Sequence, residues 1–529
     1  MSDDDPRGDL AWGTTSGVLA ATAARVPTQE ALVDGDLRLT YAELDATVSE
    51  AARAVMAAGI DAGDRVAIWG PNCARWVIAA LALQRAGAVL VPLNTRFVGD
   101  EAAYVLAKAG VRLLFTVTDF LDRDYPASLP RDAVPDLGRI VIMSGPVDDG
   151  CESWDVFLAG GGSVDGDALA ACTASIGSDD LSDILFTSGT TGAPKGAMCT
   201  HGQTLRAYAV WSTVVGLREG DRYLIVNPFF HGFGYKAGWL ASIMMGATIV
   251  PAKTLDVPLV LDAVRNERIT VLPGTPTLYQ TMLEHPAFSA DGIASLRLSV
   301  LGAANIPPTL LYRIKEAMGF EDIVTGYGLT ESCAIVSMCR YDDPLETVAS
   351  SCGRPLPGLE VRIVDPSGAE VPTGSEGEIV VRGYTVMRGY LDEPEETAGT
   401  IDEQGWLHTG DIGTVDDLGM LHITDRIKEM FIVGGFNAYP AEIEKILSRH
   451  ESIAQVAVIG IPDERMGEVG AAFVIPRAHA TITPDEVIAY SREHMANYKV
   501  PRQVYVVDSL PMNASGKVVK NVLRESIAH

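Results

Sequence analysis

The sequence predicts a mixed α/β fold: a large N-terminal domain of α/β subdomains plus a β-rich subdomain, then a small α+β C-terminal domain. Three observations lead there. Helical and strand patterns alternate from Tyr41 to Val117 and again from Ile184 to Val324, as a largely parallel sheet with crossover helices requires. From Gly353 to Gly389 this gives way to short strands split by Pro/Gly turns. After Asp425-Arg426 a separate compact unit begins. Residues 1–425 and 426–529 are therefore expected to be the two domains, with the β-rich part at about 350–424.

Leu44, Val48, Ala51, Ala52 and Val55 recur at helical spacing and mark the first helix. Arg65-Val-Ala-Ile-Trp69 reads as a short buried strand, Trp76 to Ala86 as a helix, and Ala88-Val-Leu-Val-Pro92 as the next strand. Ser144 to Asp167 is polar and Gly-rich and reads as a surface connection. Its Gly160-Gly161-Gly162 follows no clear strand, so it is read as loop and not as a dinucleotide fingerprint. Ala237 to Ala252, uncharged but broken by Gly238, Gly246 and Pro251, reads as a buried helix running into a strand. In the β-rich part, Leu359 to Val364 and Gly377 to Arg382 are strands. In the last unit Pro440 opens a helix with Ile443, Ile446 and Leu447 on one face. Val456 to Ile461 and Ala471 to Ile475 are strands, and Thr483-Pro-Asp-Glu486 has capping-box spacing ahead of a helix to Met495.

Composition narrows the function. At 529 residues and 47% hydrophobic content the chain has room for three to four units of roughly 150 residues, each with a core. A net charge of −28 argues against a general binder of nucleic acid or anionic membrane, since both are polyanions. The acidic start and the absence of a long apolar run lead to the expectation of a cytoplasmic protein with no membrane segment. The seven cysteines form no CxxC pair and are read as reduced core thiols. Charge is unevenly distributed. Residues 429–529 hold 10 Lys+Arg against 12 Asp+Glu, leaving −26 on residues 1–428.

The stretch Thr187-Ser188-Gly189-Thr190-Thr191-Gly192-Ala193-Pro194-Lys195-Gly196 follows the strand-like Ile184-Leu185-Phe186. Glycines let backbone N–H groups approach an anion, hydroxyls donate further bonds, and the lysine adds charge; this suits polyphosphate. It is not a Walker A loop, because Pro194 precedes Lys195 and Gly196 stands where Ser or Thr should follow. Further motifs follow in order: Phe229-Phe-His-Gly232, Gly326-Tyr-Gly-Leu-Thr-Glu331, His408-Thr-Gly-Asp411, Asp425-Arg-Ile-Lys-Glu429, Gly434-Gly435 and Pro511-Met-Asn-Ala-Ser-Gly-Lys517. The ordered set resembles the acyl-adenylate-forming superfamily of acyl- and aryl-CoA ligases, peptide-synthetase adenylation domains and firefly-type luciferases.

That resemblance implies an ATP-dependent carboxylic acid–CoA ligase, AMP-forming, using ATP, Mg2+ and CoA. It makes Lys517, His231 and Thr190 the catalytic residues. Nucleotide is held by Thr187, Ser188, Gly189, Thr190, Thr191, Gly192, Lys195, Tyr327, Gly328, Thr330, Asp411, Arg426 and Lys517. Tyr327 stacks on adenine, Thr330 touches the α-phosphate, Asp411 accepts from the ribose hydroxyls, and Arg426 adds a ribose or phosphate contact. Glu331 is the Mg2+ ligand, Lys428 the hinge of a mobile C-terminal domain, and Gly434 and Gly435 line the CoA path.

Tyr235, Trp239, Ala303, Ala304, Cys333, Ala334 and Ile335 are candidates for the acyl pocket by their position near these motifs. His231 stands where amino-acid-adenylating domains carry Asp, so a plain carboxylic acid is expected. Lys236 either meets a polar carbonyl of the substrate or points to solvent, and solvent is the weightier reading. Phe230 to Trp239 and Ile432 to Pro440 resemble actinobacterial ligases that activate a ring-bearing propanoate left from steroid breakdown. Fatty acids and then aryl acids stay open as alternatives. So do a stand-alone adenylation enzyme loading a carrier protein, a non-catalytic nucleotide or acyl sensor, and assembly as a homodimer.

Overall fold

The computed structural model describes residues 6–188, 193–302, 308–426, 430–477, 480–511, 518 and 520–527. It divides into two compact units. The first comprises Met1–Thr95, Ala103–Phe186 and Gly196–Asp425; the second comprises Arg96–Ala102, Thr187–Lys195 and Arg426–His529.

An eight-stranded sheet dominates the first unit. Its order is Gly389–Tyr390, Pro194–Thr200, Leu181–Ser188, Val89–Pro92, Arg65–Trp69, Val111–Val117, Arg139–Ser144 and Glu152–Ser153. From Leu181–Ser188 onward the neighbours run parallel. Strands covered on both faces must be apolar throughout, and Val66, Ala67, Ile68 and Trp69 are all fully buried. The helix Tyr41–Ala57 begins with a capping box between Thr40 and Glu43, and buries the five residues whose spacing predicts it.

Two four-stranded sheets carry the site segments. One orders Arg222–Ile225, Thr248–Pro251, Glu30–Asp34 and Leu37–Thr40; the other orders Leu298–Leu301, Asp322–Tyr327, Ser337–Met338 and Arg354–Pro355. Val271 bridges them, pairing in parallel with Tyr223 and with Leu298. The β-rich portion is a sheet ordered Glu360–Val364, Gly377–Arg382, Leu407–Val415 and Leu421–Arg426.

The expected surface connection at 144–167 is corrected. It holds the strand Glu152–Ser153, the helix Trp154–Gly160 and a 3-10 turn at Gly161–Ser163. Trp154 and Phe157 pack on Phe115, with ring centroids 5.8 and 5.2 Å away. Gly161 is small because a Cβ there would meet Ala54 N at 2.8 Å. Two aromatics thus recruit a polar, Gly-rich stretch into the core. The seven cysteines are all free, and Cys199, Cys333 and Cys339 are the buried ones. Among the described residues no helix is long and apolar enough to cross a membrane.

The second unit folds around the sheet Phe436–Ala438, Phe431–Val433, Gly467–Pro476 and Ile453–Asp463, with Gln503–Val506 parallel to Gly467–Pro476. The helices Pro440–Leu447, Pro484–His494 and Lys520–Ile527 belong to it. Ile443, Leu447, Ala457 to Ile459, Ala471 and Val487 are among its buried core residues. The capping box at Thr483 and Glu486 is formed as its spacing predicts.

One buried group has a pH signature. His201 opens the helix His201–Val214; its Nδ1 accepts from the Thr15 backbone N–H at 3.2 Å and lies 2.9 Å from Thr15 Oγ1. Burial lowers this imidazole from 6.5 to about 4. Folding holds it neutral while the unfolded chain protonates normally. Its contribution is therefore intact above pH 6.5 and is lost as pH falls from 6.5 toward about 4. At ~1.36 kcal/mol per unit this is about 3 kcal/mol. Melting curves across that window should decline less steeply for His201→Asn than for the native chain. Equal slopes would assign the acid sensitivity elsewhere.

Candidate active site

The strand Asp322–Tyr327 delivers Tyr327 to the head of a tight turn at Thr330–Ser332. Glycine is needed at 326 and 328 for packing: a Cβ at Gly326 would meet the Ser337 carbonyl oxygen at 2.8 Å, and one at Gly328 would run into the Ala334 carbonyl. The turn is held by Leu329 N–H donating to Ser332 Oγ at 3.2 Å and Ala334 N–H to Leu329 O at 2.9 Å. Cys333 and Ala334 carry φ of +52° and +67°, a left-handed backbone that non-glycine residues rarely adopt.

The structure joins two motifs that lie 84 residues apart. Tyr327 OH donates to Asp411 Oδ2 at 2.6 Å. Asp411 is mostly buried on the strand Leu407–Val415, where its N–H donates to Thr409 Oγ1 at 3.1 Å and Thr409 Oγ1 donates to Ile379 O at 2.7 Å. Glu378 holds the same bend, accepting from Gly410 N–H and lying beside His408 Nδ1, each at 3.0 Å.

Glu331 is half-buried, and its Oε1 accepts from Tyr390 OH at 2.7 Å. Met387 N–H donates to the Glu331 carbonyl at 2.9 Å. The segment 387–390 thus fixes this residue by backbone and side chain together. Sequence reasoning missed Tyr390, because nothing local marks a partner 59 residues away.

His231 is solvent-exposed and caps a three-residue helical turn, its Nδ1 accepting from Phe233 N–H at 3.2 Å. With Nδ1 accepting, the neutral ring carries its proton on Nε2. Gly232 and Gly234 make close approaches: a Cβ would meet Ala334 Cβ at 2.5 Å and Pro228 O at 2.2 Å respectively.

Behind it, Tyr235–Leu240 forms a π-helix, all six residues buried. Tyr235 Oη accepts from Gln84 Nε2 at 2.9 Å, and its ring stacks on Trp239 with centroids 4.8 Å apart. Lys236 is corrected: it does not point to solvent. Its side chain is fully buried, with Nζ 2.9 Å from Oδ1 of the equally buried Asp183. Apolar flanks on either side (Tyr235, Ala237) were the available signal. Cys333 Sγ lies 3.3 Å from Cys199 Sγ, and Tyr208 OH donates to Cys333 O at 3.0 Å.

Other expected residues fall in the second unit. Thr187 and Ser188 end the strand Leu181–Ser188, and Lys195, mostly buried, starts Pro194–Thr200. Arg426 ends the strand Leu421–Arg426. Gly434 and Gly435 form the two-residue link between Phe431–Val433 and Phe436–Ala438, with φ of +56° and +88°. Both central residues at positive φ explain the glycine pair, independently of any ligand. Gly189, Thr190, Thr191, Gly192, Ala303, Ala304, Lys428 and Lys517 lie outside the described residues.

Residues 19–391 match the family described as AMP-binding enzyme, and 442–517 match the AMP-binding enzyme C-terminal domain; the chain belongs to this adenylate-forming family. It is similar to the 3-[(3aS,4S,7aS)-7a-methyl-1,5-dioxo-octahydro-1H-inden-4-yl]propanoyl:CoA ligase of Mycobacterium tuberculosis, 48% identical over 513 residues, covering 97% of this chain and 98% of the relative. A ligase of the same name from Rhodococcus jostii is 46% identical over 520 residues, with 97% and 98% covered. Among solved structures, an amide bond synthetase from Marinactinospora thermotolerans superposes with a TM-score of 0.83 at 29% identity, covering 97% of this chain and 99% of that one. The chain is an ATP-dependent, AMP-forming acid–CoA ligase, with ATP and CoA as its co-substrates.

Proposed function

We propose that the acid is a fused-ring propanoate bearing ring ketones. The observation that carries this is near-full-length identity of 48% and 46% to two ligases named for such an acid. In the first half-reaction a carboxylate oxygen attacks the α-phosphorus of ATP, pyrophosphate leaves and an acyl-adenylate forms. In the second the thiol of CoA attacks the acyl carbon and AMP leaves, giving the thioester.

Tyr327 offers its ring to adenine while its hydroxyl holds Asp411 Oδ2, which turns the carboxylate toward the ribose hydroxyls. Thr187 to Gly192 and Lys195 surround the polyphosphate, and Thr330 and Arg426 add contacts near the α-phosphate and ribose. His231 presents its Nε2 proton to the acid's carboxylate, its Nδ1 being engaged by Phe233 N–H. Lys428 is the pivot of the domain change between half-reactions, with Gly434-Gly435 beside the pantetheine path.

Glu331 fits a Mg2+ ligand. One oxygen is held by Tyr390, a single carboxylate plus phosphate oxygens suits this hard cation, and no larger acidic cluster occurs among the described residues. Mg2+, when bound, supplies charge neutralisation at the phosphates. Glu331→Gln keeps an acceptor for Tyr390 but loses the charge. The Mg2+ concentration giving half-maximal adenylation should rise roughly tenfold or more. An unchanged Mg2+ dependence would remove Glu331 from this role.

CoA-dependent AMP release should be compared for the dioxo-ring propanoate, a medium-chain fatty acid and an aryl acid. The ring acid is expected to show the highest kcat/KM. An equal or better fatty or aryl substrate would overturn the assignment of the acid.

A further inference from the structure

The antiparallel ladder between Gly377–Arg382 and Leu407–Val415 is interrupted where Asp411 sits. Glu378 pairs with Ile412 and Val380 with His408, so the single residue Ile379 faces three: Thr409, Gly410 and Asp411. One strand thus carries an enlarged β-bulge. Side chains alternate with a period of two, so an even excess leaves the flanking residues on their faces and displaces only 409–411. Gly410 supplies the bend, with φ of +71° in the left-handed region.

A bulge interrupts the ladder, and each backbone group it releases needs another partner. Side chains supply them here. Thr409 Oγ1 donates to Ile379 O at 2.7 Å and accepts from Asp411 N–H at 3.1 Å. Gly410 N–H donates to Glu378 Oε1 at 3.0 Å, while Glu378 Oε2 lies 3.0 Å from His408 Nδ1. A carboxylate only accepts, so Nδ1 carries the proton in that contact. One side chain therefore grips the bulged strand at 408 and again at 410, immediately before Asp411.

Stability does not account for this clamp. The side chains of Glu378 and His408 are 21% and 36% exposed, and a pair in such a setting contributes little to folding. What the clamp aims is a better explanation. The carboxylate of Asp411 is fixed at its other end, where Oδ2 accepts from Tyr327 OH at 2.6 Å, a contact that tolerates little movement of the backbone bearing it. Bulges recur beside active sites, where they re-aim a side chain.

We propose that Glu378 is a positioning residue for nucleotide recognition: by clamping the bulge it holds Asp411 where its carboxylate meets the ribose, and so sets the preference for a nucleotide with intact ribose hydroxyls. This rests on the reading of Asp411 given above. Glu378 itself touches no nucleotide; it acts through the backbone at 410 and the direction of the next side chain.

The test compares ATP with 2′,3′-dideoxy-ATP in pyrophosphate exchange. The native enzyme should prefer ATP, and Asp411→Ala should remove most of that preference. Glu378→Ala should lower it roughly five- to tenfold through a higher KM for ATP, with the KM for the dideoxy nucleotide nearly unchanged, a smaller loss than that of Asp411 itself. Glu378→Gln keeps an acceptor for Gly410 N–H and, with His408 in its other neutral tautomer, a donor to Nδ1; it should recover most of the preference. Glu378→Ala added to Asp411→Ala should change the preference no further, because residues acting through one another are not additive.

His408→Ala cuts one arm of the clamp and serves as the test if Glu378→Ala does not fold; it should lower the preference about two- to fivefold. An unchanged preference in these variants, an equal rise in KM for both nucleotides, or a further loss of preference in the double variant would each overturn the proposal. A native enzyme indifferent to the ribose hydroxyls, or an Asp411→Ala variant that keeps the full preference, overturns instead the role of Asp411, a distinguishable result.

Discussion

Lys517→Ala should lower acyl-adenylate formation by about 10²- to 10³-fold while leaving thioester formation from supplied acyl-adenylate largely intact. The physical reason lies in the charge of the first step. A carboxylate attacks a phosphate already carrying negative charge, and a cation bridging the two offsets repulsion that is greatest in the transition state. The second step starts from a mixed anhydride and an attacking thiol, and needs no bridge between two anions. Lys517 ends the motif Asn513-Ala-Ser-Gly-Lys517, whose resemblance to the family carries this role. The halves are separated by measuring pyrophosphate exchange in one assay and CoA consumption from synthetic acyl-adenylate in another. Equal loss in both, or in neither, would show that Lys517 does not serve this step.

Asp411→Ala should raise the KM for ATP roughly 10- to 100-fold, the range for hydrogen bonds to a charged group. Two effects combine in this variant: the acceptor proposed for the ribose is lost, and so is the carboxylate that Tyr327 OH meets at 2.6 Å. Tyr327→Phe separates them, because it keeps the ring and removes only the hydroxyl. Its KM should rise by less than that of Asp411→Ala. If Tyr327→Phe reproduces the whole effect, Asp411 acts by positioning Tyr327 and not on the ribose.

Much of the fold is legible because local rules and tertiary context agree. The helix at 41–57, the strands at 65–69 and 89–92, and the capping box at Thr483 all form where periodicity and capping chemistry place them. The reading of 144–167 as a connection failed because burial of Trp154 and Phe157 on Phe115 outweighs the preference of a Gly-rich, polar composition for loop. Lys236 was misplaced for a similar reason. Lysines are rarely buried without a partner, and its partner, Asp183, lies 53 positions earlier on a strand of the central sheet.

By itself, then, the sequence determined the α/β class, the order of the motifs and the residue types available to polyphosphate, a cation and an acid. Those are properties of contiguous stretches, where periodicity, turn chemistry and composition act over a few residues. Only the tertiary structure decided which residues act in pairs: Tyr327 with Asp411, Glu331 with Tyr390, and Lys236 with Asp183. Hydrogen bonds and ion pairs depend on separations of about 3 Å. Distances between residues far apart along the chain are set by the packing of strands and helices, which no local pattern records.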